Sequence, residues 1–230
     1  MGVKLRNKIF FIIIFILVIS FNLKAVNLSV GFTSQFGLSG ANTNASKIFP
    51  SGFRDFDSGF AFSIGINQSV ASSMSFSVLL DLGYYHDSYD FRYNINGKRV
   101  TENYQFDSFL IGGYTRFNFA FLSIGAGGGV KIPGMATYIV NGYNIGGRYR
   151  FSFGDLNDIF ESAVIPYVRF SLDFSIFNYL IGIYVNYDFP LYFQHNSYMN
   201  DVFVNRDSIS AFDIGIQFGY YLNINFNRDY

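Results

Sequence analysis

The 230-residue sequence contains no cysteine, no tryptophan, only two histidines and only four prolines. Without cysteine, disulfides and thiolate metal sites are excluded. The histidines, His86 and His195, lie far apart and the acidic residues are scattered, so no metal-ligand spacing is present and we predict no metal or cofactor. Scarce proline leaves long strands uninterrupted. Stability must therefore come from the packing and closure of a sheet.

Aromatic residues and glycine are abundant, with 30 Phe, 18 Tyr and 23 Gly. This combination is typical of membrane-spanning strands, whose aromatic side chains face lipid and whose glycines permit close packing inside. The length suits one domain.

The N-terminus has the pattern of an export signal. Lys4, Arg6 and Lys8 precede an unbroken apolar run from Ile9 to Phe21, and Ala25 follows shortly after. The run is shorter than the roughly 20 residues of a membrane-spanning helix. We predict a signal peptide over residues 1–25 and an exported domain over residues 26–230. Its removal leaves 12 basic and 16 acidic residues, a balance that favours no nucleic-acid partner.

The last strand carries the clearest structural signal. Its odd positions between Asp213 and Asn225 are small or polar except Tyr221, whereas its even positions are large and apolar: Phe212, Ile214, Ile216, Phe218, Tyr220, Leu222, Ile224 and Phe226. A period of two over this length predicts a strand with one apolar and one polar face. Soluble strands are usually about 5 or 6 residues long. The pattern therefore predicts a transmembrane β-strand with its apolar face toward lipid.

Eight segments alternate in this way. They are Val26 to Gly37, Ser58 to Asn67, Met74 to Tyr84, Ser108 to Phe117, Leu122 to Ile132, Tyr167 to Ile176, Tyr179 to Asp188 and Ser208 to Phe226. The dipeptide Asn96-Gly97 predicts a two-residue hairpin turn. That turn places Leu82 opposite Ile111, so that outward residues meet outward residues.

The connections alternate between short and long. Short turns are predicted at 68–73, 118–121 and 177–178, and long outer loops at 38–57, 86–104, 133–163 and 190–207. The third long loop contains an extra hairpin pattern from Thr137 to Phe153 and a helical turn from Asp155 to Glu161. A ten-stranded barrel is therefore the alternative to eight strands.

This organisation resembles the small outer-membrane barrels of the OmpA transmembrane-domain and OmpX type. The resemblance is sharpest at Gln217-x-Gly219-x-x-Leu222-x-Ile224, which looks like the insertion signal that the barrel-assembly machinery reads in last strands. It departs from that pattern in continuing past Phe226. The resemblance implies an all-β fold: a single up-and-down antiparallel barrel of eight strands in the bacterial outer membrane. Its implied partners are outer-membrane lipid and the assembly machinery.

Every charge in the membrane portions of the predicted strands falls on the inward face: Asp81, Arg116, Lys131, Arg169, Asp173, Asp188 and Asp213. An eight-stranded interior is just wide enough for its own side chains. We therefore predict a polar plug in which Arg169 lies diagonal to Asp188. The alternative is the charged constriction of a narrow, porin-like channel.

One group resembles a catalytic site. His86 and Ser88 share the outward face, and the hairpin register places Asp107 opposite His86, which resembles the His-x-Ser spacing of outer-membrane lipid A deacylases. The flanking arginine and the penultimate-strand position of those enzymes are missing. Polar residues at the lipid headgroup boundary explain the group more simply, so we predict no catalytic residues.

The pattern as a whole favours a non-enzymatic, surface-exposed barrel. Its outer loops combine aromatic and arginine residues, as in Tyr89 to Tyr93 and Gly147 to Phe151, and such residues are enriched at contact surfaces. We expect these loops to contact extracellular ligands or a host. A channel and a lipid-modifying enzyme are the alternatives.

Overall fold

The computed structural model describes residues 26–44, 49–50, 52–142, 145–194 and 207–224. The predicted signal peptide and the end of the chain after Ile224 lie outside these ranges. The elements are β1 (Val26–Thr43), β2 (Phe49–Pro50), β3 (Asp55–Ala71), β4 (Met74–Ile95), β5 (Lys98–Phe119), β6 (Leu122–Gly142), β7 (Ile145–Ser152), α1 (Phe153–Ile159), β8 (Ile165–Ile176), β9 (Tyr179–Tyr192) and β10 (Ser208–Ile224). No helix within these ranges is long and apolar enough to cross a membrane.

Eight strands close into one antiparallel ring, in the order β1, β3, β4, β5, β6, β8, β9, β10 and back to β1. The predicted eight-stranded barrel is confirmed. The two further strands, β2 and β7, pair with β4 and β6 outside the ring. The ten-stranded alternative is therefore wrong.

The β4–β5 hairpin has the predicted register. Asn96 and Gly97 both adopt positive φ, 49° and 77°, as a two-residue turn matched to the strand twist requires. Leu82 pairs with Ile111, and the ladder continues without a shift from Met74↔Phe119 to Ile95↔Lys98.

An apolar belt surrounds the middle of the barrel. Outward side chains are exposed while their chain neighbours are buried: Leu80 is 47% exposed and Asp81 is 1% exposed. On β4 and β5 this belt ends at Tyr84 and Phe109. A ring without free edges and with an apolar outer face is the arrangement that lets strands span a membrane.

Above the belt the two faces of β4 exchange character without any change of register. The outward side chains become polar: His86, Asp90, Arg92 and Asn94. The inward ones become aromatic, and Tyr89, Phe91 and Tyr93 are all buried. Water replaces lipid outside, so apolar side chains are now stabilised by turning inward. The predicted loop 86–104 is instead a continuous hairpin, and the loop prediction is wrong there.

The third predicted loop, 133–163, is also mostly regular structure. β6 runs on to Gly142 and pairs with β7 from Met135↔Ser152 to Gly142↔Ile145. This confirms an extra hairpin, in which Asn141 and Gly142 are paired as the end of β6. β6 has a bulge at Gly134, between the pairs Asp107↔Met135 and Ser108↔Pro133. Before the bulge the odd-numbered residues of β6 face the lumen, and after it the even-numbered residues do. The helical turn becomes α1, which Ser152 caps through Asp155.

The remaining predicted outer loops are shortened too. β1 continues to Thr43 and β3 begins at Asp55, so only residues 44–54 separate these strands, where a loop over 38–57 was predicted. β9 extends to Tyr192, and most of the predicted loop 190–207 lies outside the described residues. The outer part of the molecule is therefore largely a continuation of the barrel wall.

Candidate functional site: the filled lumen

The lumen has a polar vestibule at the end that carries the short turns. A cavity of about 180 Å³ there is lined by Ser77, Asn118, Asn178 and Arg116, among others. The Arg116 guanidinium lies 4.0 Å from the centre of the Tyr221 ring, a cation–π arrangement. Tyr221 in turn packs directly against Gly31, where a Cβ atom would have no room. Arg116 and Tyr221 form the floor of the vestibule.

A buried ion pair crosses the lumen above this floor. Arg169 Nη2 donates to Asp81 Oδ2 at 2.5 Å, and Ser63 Oγ donates to the other oxygen of Asp81 at 2.6 Å. The Arg169 guanidinium also lies 4.5 Å from the Tyr114 ring centre. Asp188 lies diagonal to Arg169, as predicted, because Arg169 pairs with Asn186 and Tyr167 pairs with Asp188. The expected ion pair between them does not form, because the Arg169 side chain reaches across the barrel to Asp81 on β4.

Gln217, the first residue of the predicted insertion signal, belongs to the same plug. It is 2% exposed, its Nε2 donates to Asp173 Oδ1 at 2.6 Å, and its Oε1 accepts from Gln35 Nε2 at 2.9 Å. Asp173 also accepts a hydrogen bond from Ser171. Gly219 packs beside Thr33, whereas Leu222 and Ile224 face outward in the belt. Any part of this sequence in insertion stays a prediction.

Lys131 organises the next layer of the lumen. Its ammonium lies 2.5 Å from Asp87 Oδ1 and 2.8 Å from Asp188 Oδ1, and 4.0 Å from the centre of the Tyr85 ring. Tyr89 donates a further hydrogen bond to Asp188 at 2.8 Å. The structure thus brings the seven predicted lumen charges inside the barrel, and all seven are at most 5% exposed.

Sequence analysis missed Asp57 and Asp87, which also point into this layer. Both are completely buried, and each has a carboxylate oxygen within 4.8 Å of the other's and of one from Asp213. They were missed because they fall in stretches predicted to be loops. Continuing the alternation of β3 and β4 beyond the belt would have placed both on the inward face.

An upper core closes the barrel above Lys131. We use this name for the buried apolar cluster above the belt, which includes Tyr89, Phe91, Tyr93, Val100, Tyr104, Phe106, Tyr138, Leu156, Ile159, Phe160, Leu191, Phe193 and Ile209. Side chains of α1 thus pack against those of the wall. Among the residues that the structure describes, the lumen is filled from the vestibule to the outer end.

The polar groups of the upper core are paired. Glu102 is 3% exposed and accepts hydrogen bonds from Tyr93 at 2.6 Å and Tyr138 at 2.8 Å. Burial raises the pKa of Tyr138, and the neighbouring Tyr104 and Glu102 raise it further. The phenol therefore stays protonated and remains a donor to the carboxylate.

His86 and Asp107 meet just above the belt. His86 Nδ1 lies 2.8 Å from Asp107 Oδ1, and the belt residue Tyr84 donates to the same oxygen at 2.5 Å. Burial raises the pKa of Asp107, but the hydrogen bonds from Tyr84 and His86 outweigh burial and hold the pKa below its usual range. Ser88 instead accepts from Asn103 at 2.9 Å. In the described part of the chain no hydrogen bond joins the Ser88 hydroxyl to His86, so the trio lacks a base acting on a nucleophile.

An outer sheet, formed by the parts of β4, β5, β6 and β7 above the belt, presents a polar face to the outside. The register aligns Arg148 with Ile139 and Asn103, and Arg150 with Thr137 and Gln105. Arg148 and Arg150 are exposed. β7 pairs only with β6, so its other edge is open within the described residues.

No protein-family model matches the chain, and no curated protein matches it. Solved structures with a similar fold include Ail, the attachment invasion locus protein of Yersinia pestis, at 7% identity and a TM-score of 0.39, covering 84% of this chain and 98% of that chain. Neisserial surface protein A matches at 10% identity and 0.37, covering 83% and 96%. The outer membrane protease OmpT from Escherichia coli matches at 10% and 0.31, covering 89% and 98%. At these values the similarity concerns the fold class alone.

Proposed function

We propose that the protein is a non-enzymatic, surface-exposed barrel of the bacterial outer membrane that does not conduct and that holds a rigid contact platform outside the membrane. The observation that carries this proposal is the upper core. It fills the barrel above the apolar belt, where a channel would need an opening. It also turns the outer hairpins into one packed body, which suits a preorganised binding surface.

The outer sheet is the best candidate for the contact surface. Its outward face carries few apolar side chains, and its exposed cations include Arg99 near the β4–β5 turn and the two arginines of β7. Arginine presents a planar group that binds carboxylate, sulfate or phosphate in a bidentate manner. The expected partner is therefore anionic at the point of contact. No observation favours the lipid-modifying enzyme over this proposal.

Retention on immobilised dextran sulfate tests the contact surface. The doubly substituted protein Arg148→Ser/Arg150→Ser should elute at a lower salt concentration than the wild type. It has fewer cations to attract the sulfate groups, so less salt is needed to screen that attraction. Arg54→Ser, which removes an exposed cation outside the outer sheet, should elute close to the wild type. Equal elution of all three proteins would contradict the assignment of this face.

A further inference from the structure

The layer around Lys131 holds more negative charge than its cation can balance. Four carboxylates surround this lysine, and all five side chains are completely buried: Asp57, Asp87, Asp188, Asp213 and Lys131. If all four are ionised, one ammonium faces four negative charges in a space without bulk water. Buried charges without partners are strongly unfavourable.

Three of these carboxylates have an unused oxygen. Each accepts one hydrogen bond from the protein through its other oxygen, and the donors are the Ser88 backbone N–H at 2.8 Å, the Lys131 ammonium at 2.5 Å and the Asn186 side-chain amide at 3.0 Å. Asp57 Oδ2, Asp87 Oδ2 and Asp213 Oδ1 are left without a partner. Buried acceptors are rarely left in this state.

Two neutral side chains beside the carboxylates also have an oxygen without a partner. Ser39 lies directly opposite Asp213 in the β1–β10 pair, and Asn186 lies opposite Asp213 in the β9–β10 pair. Ser39 is 0% exposed and Asn186 is 2% exposed. The Ser39 hydroxyl and the Asn186 side-chain oxygen make no hydrogen bond. Both residues are therefore direct strand neighbours of Asp213, and each adds a buried oxygen that is not part of the carboxylate cluster.

We propose that Asp57, Asp87 and Asp213, with Ser39 and Asn186 beside them, bind a divalent cation of the size of calcium. The three carboxylates bring oxygens within 4.8 Å of one another. Calcium accepts six to eight oxygen ligands at about 2.3 to 2.6 Å in flexible geometry, whereas magnesium demands near-ideal octahedral geometry at about 2.0 to 2.1 Å. Hard carboxylate, hydroxyl and amide oxygens are the ligands that calcium prefers. The acids that seemed scattered in the sequence converge because strand pairing closes the barrel.

The position of the site suggests its role. Asp57 lies on β3, Asp87 on β4 and Asp213 on β10, and β1 lies between β3 and β10 in the ring. An ion held by all three would link β3 and β4 to the last strand, β10, across the β1–β10 seam. Tyr85 lies below this layer and Tyr89 above it, so the ion would enter while the barrel closes and would exchange slowly afterwards.

The test begins with the wild-type protein. It is refolded in detergent with calcium chloride or with EDTA, passed through a desalting column, and assayed for metal by mass spectrometry. We expect about one retained calcium per chain and a higher temperature for the heat-induced change in gel mobility after refolding in calcium. Terbium, which replaces calcium, should show emission sensitised by the neighbouring tyrosines.

Matched variants distinguish the loss of a proposed ligand from the loss of any other buried carboxylate in the lumen. Asp213→Asn should lose the retained calcium and its thermal effect, whereas Asp173→Asn, which alters an equally buried carboxylate with other partners, should keep both. Should Asp213→Asn fail to fold, the milder Ser39→Ala is expected to weaken retention and to leave folding intact.

Three results would overturn the proposal. The first is that the wild-type protein retains no calcium after refolding in calcium. The second is that the Asp213→Asn or the Ser39→Ala protein retains as much calcium as the wild type. The third is that magnesium raises the temperature of the gel-mobility change as much as calcium does. A further result would favour protonated carboxyl groups over a bound ion. In that case the wild type would be equally stable with and without calcium, and Asp213→Asn would raise its stability.

Discussion

Replacing Asp81 with Asn should destabilise the barrel by about 3 to 5 kcal/mol, the range measured when one partner of a buried ion pair is removed. Arg169 would then lose its charged partner while its side chain stays 6% exposed, and neither its Nε nor its Nη1 has another hydrogen bond to compensate. The polar vestibule at Arg116 favours the lower end of this range, because water that enters it would solvate the guanidinium of Arg169 in part. Urea unfolding in detergent micelles, followed by gel mobility, measures the change.

A double-mutant cycle makes the test specific to this pair. Changing both residues, Asp81→Leu with Arg169→Met, should recover most of the loss, because two apolar side chains need no partner. Asp188 offers the control: Lys131 already binds it, so the coupling energy between Arg169 and Asp188 should be within about 0.5 kcal/mol of zero. A coupling of Arg169 with Asp188 as large as that with Asp81 would refute the partner assignment.

Two further predictions test the exchange of faces along β4. Leu80→Arg, in the apolar belt, should destabilise the barrel by about 2 to 4 kcal/mol and impair insertion. Asn94→Arg, which has the same outward parity but lies above the belt, should change stability by less than about 0.5 kcal/mol. Equal effects of the two substitutions in a bilayer-assembly assay would contradict the boundary at Tyr84. Phe91→Ala should cost about 3 to 5 kcal/mol by opening a cavity in the upper core, and a urea midpoint close to that of the wild type would show that this aromatic side chain is not packed.

The strand pattern predicted the wall well because each prediction needed only local information. Alternation in β10 identifies its lipid face, and the Asn96-Gly97 turn determines the pairing of β4 with β5 over their full length. The inward position of Arg169 follows from the same parity. These features depend on chain neighbours and adjacent strands, which the sequence displays directly.

The partner of Arg169 could not be predicted in this way. Asp81 lies on β4 and Arg169 on β8, and two strands separate them in the ring. Contacts across the lumen depend on how the whole barrel closes, and a pairwise register does not contain that information. The nearest diagonal carboxylate, Asp188, therefore looked like the better partner.

The outer half was mispredicted for a different reason. Tyr89, Phe91 and Tyr93 continue the alternation of β4, but with the apolar residues inward. A search for apolar residues on the lipid side ends at Tyr84 and treats the remainder as a loop. Following the parity without requiring a fixed polarity would have extended the strands and placed Asp87 in the lumen.

Single-channel recording on the purified wild-type protein in planar bilayers tests the central claim most directly. A lumen filled from the Arg116 vestibule to the upper core should give no steady conductance, with only brief and irregular events in the presence of the protein. Stable, reproducible open levels that scale with salt concentration would contradict the filled lumen and would make the narrow channel the better account.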